Sequence, residues 1–232
     1  MTAVGGLFYP FKERTAESMK PLRIAIAKGR ICGKVADLLE KSNVDCSAVR
    51  EPGRRLILPL GPWEAVLAKS PDVLTYVERG ACELGIVGKD TILEHTGAFY
   101  ELLDLKIAVC RFAVAAPVGV GLDGIQRIAT KYPGIARSFF TARGMDVEII
   151  ELSGSVELAP LLGLADAIVD LVETGKTLIE NGLAPIHDIA PISTRLVANI
   201  SSMKLRRAEM LEFVSALEKG LLSVAEEKEA TR

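Results

Sequence analysis

The fold of this chain is decided by a stretch that runs from residue 165 to residue 178 with the sequence ADAIVDLVETGKTL. Its first half is short, apolar and branched, and it lies between Gly163 and Gly175, which predicts a buried strand. Its second half predicts a tight loop and a short helix over 177–181 that Gly182 ends. A glycine-containing turn at a helix N-terminus presents unpaired backbone N–H groups to an anion. The stretch therefore predicts a phosphate site at the end of a strand.

Side chains in and beside this loop fit the same chemistry. Thr174, Lys176 and Thr177 add hydrogen-bond donors, while Asp170 and Glu173 flank them. Carboxylates next to a phosphate suit Mg²⁺ or sugar hydroxyls. An ordinary strand–turn–helix with a threonine cap has the same local pattern, so the stretch alone leaves both interpretations open.

The Gly-Lys-Thr at 175–177 also occurs in the P-loop of nucleoside triphosphatases. That motif requires a glycine five residues before Gly175, where this chain has Asp170. The spacing excludes a P-loop.

The composition is typical of a globular protein of one large or two small domains. Of 232 residues, 49% are apolar and 25% charged, and the net charge is −2 at pH 7. This balance provides no electrostatic attraction to nucleic acid or to a membrane surface. Any anion site must therefore be built locally.

The cysteines and the N-terminus indicate a reducing cytoplasm. The four cysteines are scattered without a paired spacing, and only two histidines accompany them, which argues against a zinc site. No apolar run reaches the length of a membrane span, and no signal-peptide core precedes the first predicted strand. The sequence therefore predicts a cytoplasmic protein.

Strand–loop–helix units recur along the chain. Predicted strands at 22–27, 83–87, 127–131, 147–152 and 167–172 each end in a polar loop, and further strands are predicted at 43–49 and 56–60. A helix is predicted over 204–226. In a parallel sheet the loops at the carboxyl ends of the strands lie at one edge, where ligands bind.

The order helix, glycine, strand, polar loop and helix occurs twice, around Gly80 and around Gly163. This echo predicts two similar α/β lobes, joined by crossings at 103–117 and 194–198, with a cleft between them for a phosphorylated ligand. The expected division is an N-terminal extension at 1–18, a first lobe at 19–108 and 190–232, and a second lobe at 109–189.

Three further segments are candidate anion binders. Lys28-Gly29-Arg30 follows the first strand, and Arg54 and Arg55 open the strand at 56–60. Paired arginines at a strand mouth are either a solvated edge or part of a pyrophosphate pocket. Ser153-Gly154-Ser155, between a strand and a helix, is a second candidate anion nest.

Several blocks in the right order resemble the ATP phosphoribosyltransferase family. They lie between residues 22 and 210 and comprise AKGR at 27–30, GIVGKD at 85–90, RIATKY at 127–132, LSGSVELAP at 152–160 and DLVETGKTL at 170–178. The resemblance implies a two-lobed fold like that of type II periplasmic binding proteins. Each lobe would hold a mixed, mostly parallel sheet flanked by helices, with the active site in the cleft.

The resemblance also implies an activity and partners. The family joins ATP to phosphoribosyl pyrophosphate with Mg²⁺ in the first step of histidine biosynthesis. The chain resembles the short form, a catalytic subunit with a homodimer core that assembles with a regulatory subunit similar to histidyl-tRNA synthetase. Histidine sensitivity is then expected only with that partner.

The site residues carried over by the resemblance form three sets. Binding of phosphoribosyl pyrophosphate, with its 5-phosphate on the loop at 173–177, is expected from Ser153, Gly154, Ser155, Glu157, Asp170, Glu173, Thr174, Gly175, Lys176 and Thr177. Binding of ATP and pyrophosphate is expected from Lys28, Gly29, Arg30, Arg54, Lys89 and Asp90. The expected catalytic residues are Arg30, Arg54 and Asp170, and Mg²⁺ is expected to bind through substrate phosphates rather than in a cage of protein ligands alone.

Two alternatives use the same fold. One is a non-enzymatic module that binds a small molecule, and the other is a phosphoribosyltransferase that accepts a free base. The combination of cationic segments with a phosphate loop favours a site for two polyanions over a simple binding module.

Overall fold

The computed structural model describes residues 20–230, except for the side chain of residue 228. The extension predicted at 1–18 lies outside the described residues. The strands are β1 (Arg23–Ala27), β2 (Ile57–Leu60), β3 (Trp63–Ala68), β4 (Leu84–Gly88), β5 (Tyr100–Asp104), β6 (Cys110–Pro117), β7 (Arg127–Thr130), β8 (Glu148–Glu151), β9 (Ala167–Val172), β10 (Leu183–Ile192) and β11 (Thr194–Ala198). The helices are α1 (Arg30–Glu40), α2 (Ser47–Arg50), α3 (Ser70–Glu78), α4 (Lys89–Glu94), α5 (Pro133–Thr141), α6 (Leu158–Leu161), α7 (Lys176–Glu180), α8 (Ile200–Leu205) and α9 (Arg207–Ala230).

The strands form two sheets, one in each lobe. The first sheet has the order β2-β3-β1-β4-β11-β5 and the second β10-β6-β9-β7-β8. Strand β1 pairs in parallel with β3 and β4, and β7 pairs in parallel with β8 and β9. The other five pairings are antiparallel. The expected mixed sheets are confirmed, but the parallel share is smaller than expected.

Each lobe has its own core. In the first lobe, α9 packs on α1, and an edge-to-face contact joins Trp63 to Phe213 with ring centroids 4.9 Å apart. Gly220 allows this approach, because a Cβ there would lie 2.1 Å from the Leu38 carbonyl oxygen. In the second lobe, α5 covers one face of the sheet while Ala159 of α6 and Leu178 of α7 cover the other. Within residues 20–230, no helix combines the length and apolar character that a bilayer span requires.

Two short crossings connect the lobes, after β5 and after β10. The backbone N–H of Leu105 donates to the Thr194 carbonyl at 2.9 Å, and the N–H of Thr194 donates to the Ile107 carbonyl at 3.1 Å. The two crossings are therefore held to each other. The apolar run at 103–117, expected as one crossing, belongs mostly to two different strands, β5 and β6. The expected boundary at 190 falls inside β10, a strand of the second sheet.

Two local predictions were wrong, and strands β3 and β10 were not predicted. Residues 43–49 form no strand, because the segment turns into α2 at Ser47. The residues of β3 are alternately more and less buried over its first four positions, and the strand pairs in parallel with β1. The C-terminal helix predicted over 204–226 is two helices that meet at Arg206, where the backbone leaves helical geometry (φ −129°, ψ 28°).

Candidate active site

Loops from both sheets meet at one cleft. Arg30, after β1, forms an ion pair with Glu173, after β9. The Tyr132 hydroxyl, after β7, lies 3.5 Å from the Asp90 carboxylate, after β4. Each contact joins the carboxyl end of a strand in one lobe to that of a strand in the other. The prediction that these loops face each other across a cleft is confirmed.

The phosphate loop, residues 173–177, lines a cavity of about 230 Å³. Gly175 precedes α7 in the left-handed conformation (φ 76°, ψ 1°), which a residue with a side chain adopts only with strain. The first N–H groups of α7 have no acceptors within the helix, as in the first turn of any helix. The Thr174 hydroxyl lies 3.4 Å from the Lys176 N–H. Backbone donors and hydroxyls are thus gathered at one end of β9.

Asp170 lies on β9, three residues before the phosphate loop, and places a carboxylate in the same cavity. Burial raises the pKa of Asp170, and the Glu157 carboxylate raises it further. The Leu171 N–H and the Lys131 ammonium act in the opposite direction but do not cancel this effect. The folded chain therefore holds a carboxylate whose negative charge is poorly compensated, as suits a group that meets a cationic ligand.

A larger cavity of about 660 Å³ lies in the first lobe. Lys28, Arg54 and Arg55 supply cations, and the wall is apolar, with Ala36, Cys32, Val49 and Leu67 among its residues. Gly29 also lines it in a conformation almost reserved for glycine (φ 85°, ψ −139°). A cavity with an apolar wall and several cations has the features that an aromatic base with attached phosphates requires.

Arg50 also lines this cavity but was not among the predicted residues. Its guanidinium is 2.5 Å from Asp37 and 2.7 Å from Glu40, which fix it against α1. Because 43–49 was predicted as a strand, no pattern in the sequence placed Arg50 at the cavity. The short helix α2 brings it there.

A third cavity of about 260 Å³ lies between α4 and the loop after β7. It contains Asp90, a predicted site residue, together with Lys131 and Tyr132, which were quoted only as part of a motif. Burial raises the pKa of Tyr132 well above its usual range, and the Asp90 carboxylate adds to the effect. Tyr132 therefore acts as a neutral hydrogen-bond donor across the lobes.

Some predicted site residues lie apart from these cavities. Lys89 forms an ion pair with Glu101 at 2.5 Å. Ser153, Gly154 and Ser155 are exposed in the loop after β8 and do not line the three cavities. The predicted residues that do gather around the phosphate loop are Arg30, Glu157, Asp170, Glu173, Thr174, Gly175, Lys176 and Thr177.

The described residues offer a partial metal site at most. Within 20–230, no three His, Cys, Asp or Glu side chains are grouped as ligands for a metal ion. Glu157, Asp170 and Glu173 nevertheless line one cavity with the phosphate loop. One or two carboxylates beside a phosphate fit Mg²⁺, which takes its remaining ligands from phosphate oxygens and water.

Comparisons with known proteins agree on one family. The ATP phosphoribosyltransferase family model matches residues 69–219. An ATP phosphoribosyltransferase from Clostridium acetobutylicum is 50% identical over 200 residues, which cover 84% of this chain and 93% of that protein. One from Listeria innocua is 45% identical over 88% of this chain and 97% of that protein.

Two solved structures resemble the whole fold. The HisG:HisZ ATP phosphoribosyltransferase complex from Thermotoga maritima matches with a TM-score of 0.75 and 33% identity, over 87% of this chain and 99% of that one. The periplasmic aliphatic sulphonate binding protein SsuA from Escherichia coli matches with a TM-score of 0.55 and 14% identity, over 91% of this chain and 76% of that one. The second likeness concerns the fold alone, and it confirms the two-lobed architecture of type II periplasmic binding proteins.

Proposed function

The chain belongs to the ATP phosphoribosyltransferase family, and from that membership we propose how its cleft carries out the reaction. It is an enzyme that joins N1 of ATP to C1 of 5-phosphoribosyl 1-pyrophosphate and releases pyrophosphate, in the first step of histidine biosynthesis. The observation that carries the assignment of the site is the phosphate loop facing Arg30 across the cleft.

In this proposal the phosphate loop binds the 5-phosphate. Backbone N–H groups and the hydroxyls of Thr174 and Thr177 are the donors, and Gly175 provides the turn. Asp170 and Glu173 face the ribose hydroxyls, which leaves C1 of the sugar directed towards the first lobe. Glu157 lines the same cavity and would approach the sugar, while Ser153, Gly154 and Ser155, in the loop after β8 of the same lobe, would lie at the outer side of the sugar and its phosphate.

The first lobe supplies the cations in this proposal. Arg30 and Arg54 bind the pyrophosphate, and Lys28 and Gly29 contribute to the triphosphate of ATP in the larger cavity. Lys89 and Asp90, the first two residues of α4, flank the entrance to the cleft. Arg30 must exchange Glu173 for the pyrophosphate, and this exchange is inexpensive because both side chains are well exposed, at 60% and 44%.

The reaction needs positioning and charge stabilisation rather than a strong base. The lone pair of adenine N1 forms the new bond to C1 while the bond from C1 to the pyrophosphate oxygen breaks and its electrons leave with pyrophosphate. N1 requires no deprotonation, so the chain has to align the two substrates and stabilise the departing negative charge. Arg30 and Arg54 perform the second task, and the Asp170 carboxylate stabilises the positive charge that develops at C1.

We propose Mg²⁺ as the cofactor. When bound, it would neutralise pyrophosphate oxygens and hold the ribose hydroxyls in a fixed orientation. Asp170, with Glu157 and Glu173 nearby, is the group on this chain that would hold it.

An assay with alternative acceptors tests the function. The purified chain is mixed with phosphoribosyl pyrophosphate and Mg²⁺, with either ATP or free purine and pyrimidine bases, and pyrophosphate release is measured. We expect release with ATP and none with the bases. Release with a base instead would identify another phosphoribosyltransferase, and binding without any release would identify a non-enzymatic module.

We also propose a partner and a location. A solved relative is a HisG:HisZ complex. We propose that this chain likewise forms a homodimer core that assembles in the cytoplasm with a regulatory subunit similar to histidyl-tRNA synthetase, and that histidine acts through that subunit. Titrating histidine against the purified chain should leave its rate unchanged, whereas saturable inhibition without a partner would contradict the proposal.

A further inference from the structure

One helix of the first lobe caps a helix of the second. The Glu94 carboxylate, at the end of α4, accepts hydrogen bonds from the backbone N–H groups of Gly134 at 3.1 Å and Ile135 at 2.7 Å, in the first turn of α5. A carboxylate at a helix N-terminus satisfies unpaired donors and interacts favourably with the helix dipole. Here the cap comes from the other lobe, 40 residues away along the chain for Gly134.

The sequence of α5 is suited to a cap from outside. Pro133 occupies the first helical position and has no N–H to satisfy, and Ala136 donates to the Tyr132 carbonyl at 3.1 Å. The two N–H groups between them are the ones that Glu94 binds. Gly134 makes the approach possible, because a Cβ there would lie 2.9 Å from Glu94 Oε2 and 3.2 Å from Oε1.

Helix α4 is itself attached to a crossing between the lobes. Its first residue, Lys89, donates its backbone N–H to the carbonyl of Ser193, which lies between β10 and β11, at 2.9 Å. Asp90 on the same helix approaches the Tyr132 hydroxyl. α4 therefore contacts the second lobe at both of its ends, beside a crossing.

The capped helix leads to the phosphate loop through two neighbouring strands. α5 follows β7, and β7 pairs in parallel with β9, the strand that ends in residues 173–177. On the other side, α4 follows β4, and β4 pairs in parallel with β1, the strand that ends in Lys28-Gly29-Arg30. The Glu94 cap thus joins the edges of the two sheets that carry the opposing substrate loops.

We propose that Glu94 is a positioning residue, and that its cap on α5 sets the position of the phosphate loop relative to the cationic loop of the first lobe. The inference rests on the proposed function, because this relative position matters only if the two loops bind the two substrates of one reaction. Loss of the cap should leave each lobe able to bind its own part of the substrates while their alignment suffers.

The test compares four single variants and one double variant with the wild-type chain in the phosphoribosyl-ATP assay. Glu94→Ala should lower kcat about 10- to 100-fold, since a displacement near 1 Å costs up to about 100-fold, while KM for both substrates changes less than about threefold. Glu94→Gln should be intermediate, because its amide oxygen still accepts one N–H. Glu78→Ala is the matched control: Glu78 pairs with His95 at 3.2 Å within the first lobe, and kcat should stay within about twofold of wild type.

Gly134→Ala tests the same contact from the other lobe. The three atoms nearest to a Cβ at this position belong to the Glu94 carboxyl group, so alanine should push that carboxylate away from its cap and lower kcat when Glu94 is present. In the Glu94→Ala background it should cost nothing and should stabilise α5 by helix propensity. Gly134→Ala also tests the positioning role of the Glu94 cap if Glu94→Ala does not fold.

The outcomes are distinct. Reduced kcat for Glu94→Ala or Gly134→Ala, with non-additive effects in the double variant, supports the proposal. Wild-type kcat in both single variants, or equal damage by Gly134→Ala with and without Glu94, overturns it. The wild-type assay run in parallel reports on the proposed function separately, since it depends on neither variant.

Discussion

The two lobes present different chemistry to the same cleft. The first lobe offers long cationic side chains: Lys28 and Arg54 line a large cavity with apolar walls, and Arg30 extends into the smaller cavity of the second lobe. The second lobe offers backbone N–H groups and hydroxyls on a tight turn, in a cavity about a third of that size, at 230 Å³ against 660 Å³.

This difference separates an adaptable half of the site from a preorganised half. The Arg30 side chain is 60% exposed and paired with Glu173, so it has to change partner to bind its ligand. The turn at Gly175, in contrast, is set by the backbone, with Gly175 in the left-handed conformation (φ 76°, ψ 1°). We therefore expect substitutions in the second lobe to have sharp effects through the backbone, and substitutions in the first lobe to have graded effects through charge.

The largest effect is expected from Gly175→Val. A β-branched residue at φ 76° is strained and should change the turn, with the loss of two or more N–H donors to the phosphate. Since each such bond contributes roughly 1.5–3 kcal/mol, kcat/KM should fall more than about 100-fold, with KM for phosphoribosyl pyrophosphate most affected. Steady-state kinetics with that substrate varied provide the measurement.

Gly182→Val is the matched control for this strain. Gly182 has φ 68° and open space around its missing Cβ, at the other end of α7. It should lower the melting temperature as much as Gly175→Val does and leave KM unchanged. Equal losses of activity in both variants would count against the phosphate loop.

The next effect is expected from the arginines of the first lobe. Arg30→Ala and Arg54→Ala should each lower kcat/KM about 10- to 150-fold, because each removes a charge-assisted hydrogen bond of roughly 1.5–3 kcal/mol. Arg→Lys should recover part of the activity, since the charge remains but the bidentate fork is lost. Arg127→Ala is the control, because Arg127 pairs with Asp166 at the opposite end of the second sheet. Full activity of both alanine variants would show that the pyrophosphate lies elsewhere.

The third effect is expected from Asp170, where activity and stability should change in opposite directions. Asp170→Asn should lower kcat about tenfold or more by removing a charge that faces C1. It should also raise the melting temperature at pH 7: the folded pKa lies above the ordinary 3.8, so the ionised carboxylate destabilises the fold at neutral pH. This gain should disappear as pH falls through the raised pKa.

Asp166→Asn should do the opposite. Hydrogen bonds from Arg127 and from the Gln126 and Arg127 N–H groups hold the pKa of Asp166 below 3.8, so its ionised form stabilises the fold above that pH. Thermal unfolding from pH 7 to pH 3 should show a deficit that narrows as Asp166 protonates. Parallel curves for the two variants would contradict both assignments.

The smallest effect is expected from Lys176→Ala. The Lys176 side chain is 80% exposed, and its ammonium is 3.7 Å from Glu180 on the surface. If the phosphate loop acts through its backbone, kcat/KM should change less than about threefold. A loss as large as that of Arg30→Ala would mean that the second lobe also binds through charge.

The parts of the fold that local patterns encode were predictable. Strand β9, the turn at Gly175 and α7 follow from a short apolar run bounded by glycines, and the loops at Lys28 and Lys89 follow from the same rule. Residues 43–49 misled the prediction because Val44, Cys46 and Ala48 alternate with polar residues as in a strand, and so short a pattern does not exclude a helix of four residues such as α2.

Contacts between distant segments were not predictable. Arg50 reaches the larger cavity only through α2, and Glu94 reaches α5 only because two lobes pack together. The signal for the second contact is Pro133-Gly134, a helix start without a local capping side chain. A single sequence does not reveal which side chain supplies the missing cap.

The most direct test of the central claim is a crystal structure of the chain with phosphoribosyl pyrophosphate and Mg²⁺. We predict the 5-phosphate within hydrogen-bond distance of the backbone N–H groups at 174–177, and the pyrophosphate beside Arg30 and Arg54. A 5-phosphate bound among Lys28, Arg54 and Arg55 in the larger cavity, with the phosphate loop empty, would contradict the division of roles between the lobes.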